Sequence, residues 1–128
     1  MNCTPVITGL VIFLRAQMNR NLIKKGKKDM YLVRTSIDNL YAANEIAKLL
    51  VEEHAAASVH IREVKSIFNW EGKVEKNITE YEIEAICDNP GKVKKIIDKE
   101  HTYELPEFIF CEISSTNEFK KWCSDWCK

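Results

Sequence analysis

The sequence predicts an α+β domain of the ferredoxin-like class, with the order β-α-β-β-α-β followed by an extra C-terminal helix. Three observations carry this. Two helical stripes, Ala43 to Val51 and Val93 to Ile97, each lie between strand-like runs. Two long alternating runs, Ala55 to Trp70 and Val74 to Cys87, are parted only by Glu71-Gly72-Lys73 and read as one hairpin. An apolar run, Phe108 to Ile113, supplies a last strand before a terminal amphipathic segment.

Tyr31-Leu32-Val33-Arg34-Thr35-Ser36 is rich in strand-favouring side chains and reads as the first strand. Asp38 or Asn39 can cap the following helix, whose Ala43, Ile46, Ala47, Leu50 and Val51 recur at i, i+3, i+4, i+7 and i+8. In the second strand Val59 and Ile61 share one face, whereas Val64, Phe68 and Trp70 share the other, so a β-bulge is expected near Arg62-Glu63. The return strand changes parity as well, from Val74 and Ile78 to Tyr81, Ile83 and Ala85, with Glu80, Glu82 and Glu84 facing out. Asn89 is placed to cap the second helix, with Pro90 in its first turn, where a missing N–H costs nothing. Val93, Ile96 and Ile97 form its apolar stripe, and the lysines from Lys92 to Lys99 read as a solvated face. Phe108 to Ile113 is apolar enough to predict a central strand. Ser115 with Glu118 predicts a capping box, followed by a helix whose apolar face holds Phe119, Trp122, Cys123 and Trp126.

A chain of 128 residues suits one domain able to bury roughly two thirds of its unfolded surface. The zero net charge conceals an asymmetry: of 19 basic residues, six (Arg15, Arg20, Lys24, Lys25, Lys27, Lys28) lie in residues 1–29, against Asp29 alone among 19 acids. Residues 1–29 read as a basic, flexible extension and residues 30–128 as the domain, whose acidic balance argues against a nucleic-acid partner. The apolar run Pro5 to Leu14 is far short of the about 20 residues a membrane span needs, and its positive charges follow rather than precede it, the reverse of a secretory signal. No membrane partner is expected. Five cysteines (Cys3, Cys87, Cys111, Cys123, Cys127) form no CxxC pair and suit a reducing, cytoplasmic setting, with organellar targeting by residues 1–29 as the other reading.

Two blocks stand out. Ser66-Ile67-Phe68-Asn69-Trp70-Glu71-Gly72-Lys73 resembles the Ser-x-aromatic-x-Trp-x-Gly-Lys signature of the CutA (divalent-ion tolerance) family, and His101-Thr102-Tyr103-Glu104-Leu105-Pro106-Glu107 is similar to that family's His-Pro-Tyr-x-x-Pro-Glu signature. The resemblance covers about Met30 to Trp126 and implies the same ferredoxin-like fold. It also implies a homotrimer in which long hairpins reach across to neighbouring subunits. The residues alone argue only against a monomer: one sheet face has no helix, and Phe68 and Trp70 sit near the end of a hairpin long for its domain.

For the site, the resemblance implies that Tyr103 and Glu107, together with Phe68, Trp70, Glu71 and Lys73 of the hairpin, line clefts or interfaces between subunits. Trp70 suits either a ligand-contacting tip or burial in the trimer. His101 suits either a metal ligand or proton-transfer group, or a structural imidazole bonded to a backbone carbonyl in a loop fixed by Tyr103 and Pro106. Cys123 and Cys127 are four apart on the terminal helix, so they fit two thiolate ligands or two small apolar residues beside Trp122 and Trp126. His54 and His60 read as surface or sheet residues. The chain departs from the family where Ala56-Ala57-Ser58 replaces Ala-Ala-Cys, where Glu100-His101-Thr102 stands for paired histidines and proline, and where Ala85-Ile86-Cys87 lacks a lysine. A hydroxyl is a poorer soft-metal ligand than a thiolate, so an inherited metal site is expected to be altered.

The resemblance implies a non-enzymatic divalent-cation tolerance protein in the response to metal ions of the copper type, with copper or another divalent metal as its cofactor. No phosphate loop, catalytic triad or paired-carboxylate cleft is recognisable. The alternative is a trimeric signalling or scaffolding module like the PII proteins, binding a small effector in clefts between subunits; fold similarity does not transfer function.

Overall fold

A computed structural model describes residues 30–128. The expected basic extension, residues 1–29, lies outside the described residues. The order is β1 (Met30–Ile37), α1 (Leu40–Glu52), β2 (Ser58–Trp70), β3 (Lys73–Cys87), α2 (Pro90–Glu100), β4 (Ile109–Ile113) and α3 (Asn117–Trp126). The strands form one antiparallel sheet in the order β2-β3-β1-β4, which is the ferredoxin-like arrangement the sequence predicts.

Helix starts follow the side chains that cap them. Asn39 Oδ1 accepts from the N–H of Ala42 at 2.8 Å, and Asn89 Oδ1 from that of Gly91 at 3.0 Å, with Pro90 in the first turn of α2. The third cap is Thr116, accepting from Phe119 N–H at 3.2 Å, and not Ser115. The helix simply starts one residue later than the Ser115–Glu118 box requires. Ala43, Ile46 and Leu50 of α1 and Val93 and Ile97 of α2 are buried against Tyr31, Val33, Ile83, Ala85 and Cys87 of the sheet. Thr35 shares this face, is 0% exposed, and its hydroxyl finds no hydrogen-bond partner. Thr35→Val, which keeps the shape and removes that unmet donor, is expected to raise stability by about 1 kcal/mol in urea unfolding.

The opposite face is closed at one end. Strand alternation puts Met30, Ile86 and Ile113 on it, and these pack with Cys123 and Cys127 of α3. The face is therefore not wholly uncovered, as two helices alone would leave it. Cys123 of α3 and Cys127 at its C-cap are buried; Phe119, Trp122 and Trp126 are 38%, 49% and 40% exposed, and Phe119 stacks on Trp122 at 5.2 Å.

Two further expectations are corrected. No bulge lies at Arg62-Glu63: β2 keeps unbroken register from Ser58 opposite Ile86 to Ser66 opposite Ile78. What changes along β2 is the apolar face itself, from Val59 and Ile61 under the helices to Val64, Phe68 and Trp70 on the other side. The irregularity lies further out and on β3, where Phe68 faces Glu75, so Lys76 and Asn77 together oppose Ile67, and Asn77 takes the left-handed φ of 56°. Secondly, β4 is an edge strand, paired only with β1, and its Ile109 is 45% exposed. Its apolarity on both sides reflects an uncovered edge and not a central place.

At the hairpin tip Trp70 pairs with Lys73 across Glu71 (φ 50°) and Gly72 (φ 80°). Positive φ at both central residues is the two-residue type I′ geometry that matches strand twist. A Cβ on Gly72 would meet nothing within 4 Å, so its requirement is conformational only. Gly72→Ala is expected to cost about 1–2 kcal/mol by the same unfolding assay.

Candidate functional site

The second signature block is clamped to the end of β1. The His101 ring lies with Nε2 2.8 Å from the carbonyl oxygen of Ser36, and Nδ1 accepts the backbone N–H of Tyr103 at 3.0 Å. A carbonyl only accepts and an N–H only donates, so the ring is the neutral Nε2–H tautomer with both nitrogens engaged. The His101 and Tyr103 rings meet edge-on at 4.6 Å, and the Tyr103 hydroxyl donates to Glu80 Oε2 at 2.8 Å, although Glu80 is only 5% exposed. Glu107 completes the clamp, accepting from Ser36 Oγ at 3.1 Å and lying 3.6 Å from Arg34 Nη2.

Burial first of all pushes the His101 imidazole below its ordinary value, against the raising effects of the Ser36 carbonyl and of Asp38, Glu80 and Asp98. The unfolded chain takes up its proton near about pH 6.5 while the folded one resists, so this site contributes full stability above that pH and loses it as pH falls below. A proton-detected titration should show the His101 ring still neutral as pH falls through the ordinary imidazole range, and His101→Gln should flatten the acid side of the stability profile.

Beside this clamp the strand register assembles a charge ladder on the sheet face away from α1 and α2. Arg62 Nη2 bonds Glu82 Oε1 at 2.5 Å and Glu84 Oε2 at 2.8 Å; Arg34 Nε lies 3.7 Å from Glu82, too far for a hydrogen bond. The sequence reading placed Glu80, Glu82 and Glu84 all outward; Glu80 is instead buried against Tyr103, and Glu82 and Glu84 were not joined to Arg34 and Arg62. The signal was present: on antiparallel neighbours, Arg34 lies opposite Glu84 and Arg62 opposite Glu82.

The remaining candidates lie apart. Phe68 and Trp70 are half-buried and Glu71 and Lys73 exposed toward the ribbon tip, about four to seven residues beyond the level of Glu80, or roughly 13–23 Å along a strand. Within one chain the tip and the Tyr103–Glu107 loop are thus separate surfaces. Cys123 and Cys127 pack beside Met30 at the start of β1, whereas His101 sits beside Ser36 near its end, so the three expected metal ligands do not form one centre. Ser58 opens β2 opposite Ile86, and Glu100 is exposed at the end of α2. Among the described residues no group of three or more His, Cys, Asp and Glu side chains converges. With both His101 nitrogens engaged as well, these residues do not fit a resident divalent metal. His54 is at a helix end with φ 60°, its Nδ1 2.8 Å from the carbonyl oxygen of Trp126 and its ring 4.1 Å from that indole.

The family profile described as CutA1 divalent ion tolerance protein matches residues 31–126. The chain belongs to the CutA family. It is 30% identical over 98 residues to the divalent-cation tolerance protein CutA of Pyrococcus horikoshii, an alignment covering 73% of this chain and 93% of that relative. Among solved structures, the periplasmic divalent cation tolerance protein CutA of Archaeoglobus fulgidus superposes with a TM-score of 0.74 at 28% identity, covering 77% of this chain and 99% of that one. The PII-like protein CutA of a Nostoc species, in apo form, superposes with a TM-score of 0.70 at 30% identity, covering 77% and 97%. The β-α-β-β-α-β order and both signature blocks fall within the matched span.

Proposed function

We propose that this chain acts as a CutA-type divalent-cation tolerance protein, taking part in the response to metal ions of the copper type as a non-enzymatic, cytoplasmic homotrimer. The observation that carries the reading is the pair of signature blocks within a family match spanning residues 31–126. Relatives carrying the tolerance name support the biological role. Assembly is supported by apolar surface that one chain leaves uncovered: Ile67 and Val74 on the ribbon are 70% and 62% exposed, and β4 presents an open edge. In the trimer, Phe68, Trp70, Glu71 and Lys73 of one copy meet the Tyr103–Glu107 loop of a neighbour. No helix among the described residues is long and apolar enough to cross a membrane.

Light scattering on the dilute protein is expected to return about three times 14.9 kDa, and a single-chain mass would remove the trimer. Growth of copper-stressed cells with and without the chain tests the tolerance role directly; equal growth would remove it. The PII-like description of the Nostoc relative favours one second reading, a small effector held in the clefts between subunits. An effector at 100 times its dissociation constant raises stability by about 2.7 kcal/mol, so a thermal-shift screen of anionic metabolites separates the two roles.

A further inference from the structure

Two apolar features of this chain stand on either side of Met30. On α3, Phe119, Trp122 and Trp126 recur at i, i+3 and i+7 and form one outward stripe. Trp126 is engaged, with its ring against His54 and its N–H on the carbonyl oxygen of Val51, whereas Phe119 and Trp122 stack on each other and remain 38% and 49% exposed. The second feature is residues 6–14, where seven of the nine are Val, Ile, Leu or Phe. Met30 links the two: it packs with Cys123 and Cys127 and lies opposite Ile113, so the chain preceding it joins the fold beside α3. The family match begins at residue 31, and the Archaeoglobus relative is covered to 99% by its superposition, so residues 1–29 are an addition to the shared domain.

We propose that residues 6–14 dock on the Phe119–Trp122 stripe of their own chain and form an apolar cover for α3. Reach allows it: residues 15–29 bridge at most roughly 50 Å, against about 15 Å for the length of α3. Tethering selects the chain's own segment over a second copy, because a linker of this order holds it at an effective concentration on the order of millimolar, far above that of any other molecule in dilute solution. Charge acts in the same direction. Residues 1–29 carry six bases and one acid, which leaves 13 of the 19 bases and 18 of the 19 acids to the body, so the bridging residues are attracted to the surface they cross. Docking withdraws both apolar features from water at once. It concerns α3 and the leading residues alone and rests on neither the tolerance role nor the trimer.

The test uses the full chain with Trp122 as its one indole, in a Trp70→Phe/Trp126→Phe background whose fold is checked by circular dichroism. Trp122 should emit to the blue of an indole in water. Val11→Asp/Phe13→Asp, which puts charges into the apolar contact, should move that emission to the red and raise quenching by acrylamide about twofold. Because the two tryptophan replacements can themselves disturb α3, a second readout keeps all three: p-benzoylphenylalanine in place of Phe119, irradiated in protein refolded from a mixture of ordinary and nitrogen-15 chains. Cross-linked peptides should join position 119 to residues 6–14 with both halves carrying the same label. Emission and quenching unchanged by Val11→Asp/Phe13→Asp, or cross-links that avoid residues 6–14, would overturn the docking. Peptides of mixed label would give the stripe to a second copy, and a blue shift that comes only with vesicles of anionic phospholipid would give it to a membrane surface; either result overturns docking within one chain.

Discussion

Leu50→Ala should lower the unfolding free energy by about 2–5 kcal/mol, the largest loss from any single truncation considered for this chain. Leu50 is 0% exposed and sits where α1 meets β1, β3 and α2, among Ile46, Ile83, Val93 and Ile97. Deleting its branched end removes the transfer energy of three carbons and leaves a void that the packed neighbours cannot fill. The backbone there is equally constrained. The Leu50 carbonyl accepts the N–H groups of both Ala55 and Ala56 at 2.9 Å, so the chain cannot shift inward without giving up two hydrogen bonds. Urea unfolding at a fixed chain concentration measures the loss, since assembly makes apparent stability concentration-dependent. A change below about 1 kcal/mol would mean that the site collapses freely and the core is not as described.

Tyr103→Phe should cost about 2–3 kcal/mol, because it takes a hydrogen-bond donor from a buried carboxylate while leaving that carboxylate in place. Glu80 is 5% exposed and its Oε2 accepts the Tyr103 hydroxyl at 2.8 Å. The diagnostic comparison is the double variant Tyr103→Phe/Glu80→Leu. Replacing both partners by apolar groups removes the unmet acceptor, so a large part of the loss should be recovered. A double variant no more stable than Tyr103→Phe would show that the aromatic contact with His101, and not the hydrogen bond, is what the loop depends on. The consequence for function is local: His101 and Glu107 flank Tyr103, and a loosened loop would displace both from Ser36.

The regular part of this fold was legible because periodicity and capping agreed at nearly every element. Asn39 and Asn89 stand where their side chains meet the first free N–H groups, and Ala43, Ile46 and Leu50 repeat at helical spacing onto one face. Parity along the hairpin misled. A switch of apolar residues from Val59 and Ile61 to Val64 and Phe68 has two causes, an inserted residue or a change in which face meets a partner, and the sequence does not separate them. β2 uses the second, and the inserted residue sits instead at Asn77, whose tolerance of left-handed φ was the overlooked signal. Phe108 to Ile113 misled similarly, since an edge strand awaiting cover is as apolar as a central one. For the candidate site, the second signature block marked the segment that the structure clamps to the end of β1. The tautomer of His101 was not readable, because it depends on a loop bringing Tyr103 N–H within 3.0 Å of Nδ1. Nor was the company of Cys123 and Cys127, because Met30 reaches them only through the sheet.

The contact between His54 and Trp126 gives the molecule a built-in optical gauge. The imidazole lies over the indole at 4.1 Å, tilted by 32°, and the indole N–H is held by the carbonyl oxygen of Val51 at 2.9 Å. Ring proximity and hydrogen bonding both govern indole emission, so in a Trp70→Phe/Trp122→Phe background the glow of this single fluorophore would follow detachment of the carboxy-terminal segment separately from melting of the domain beneath it.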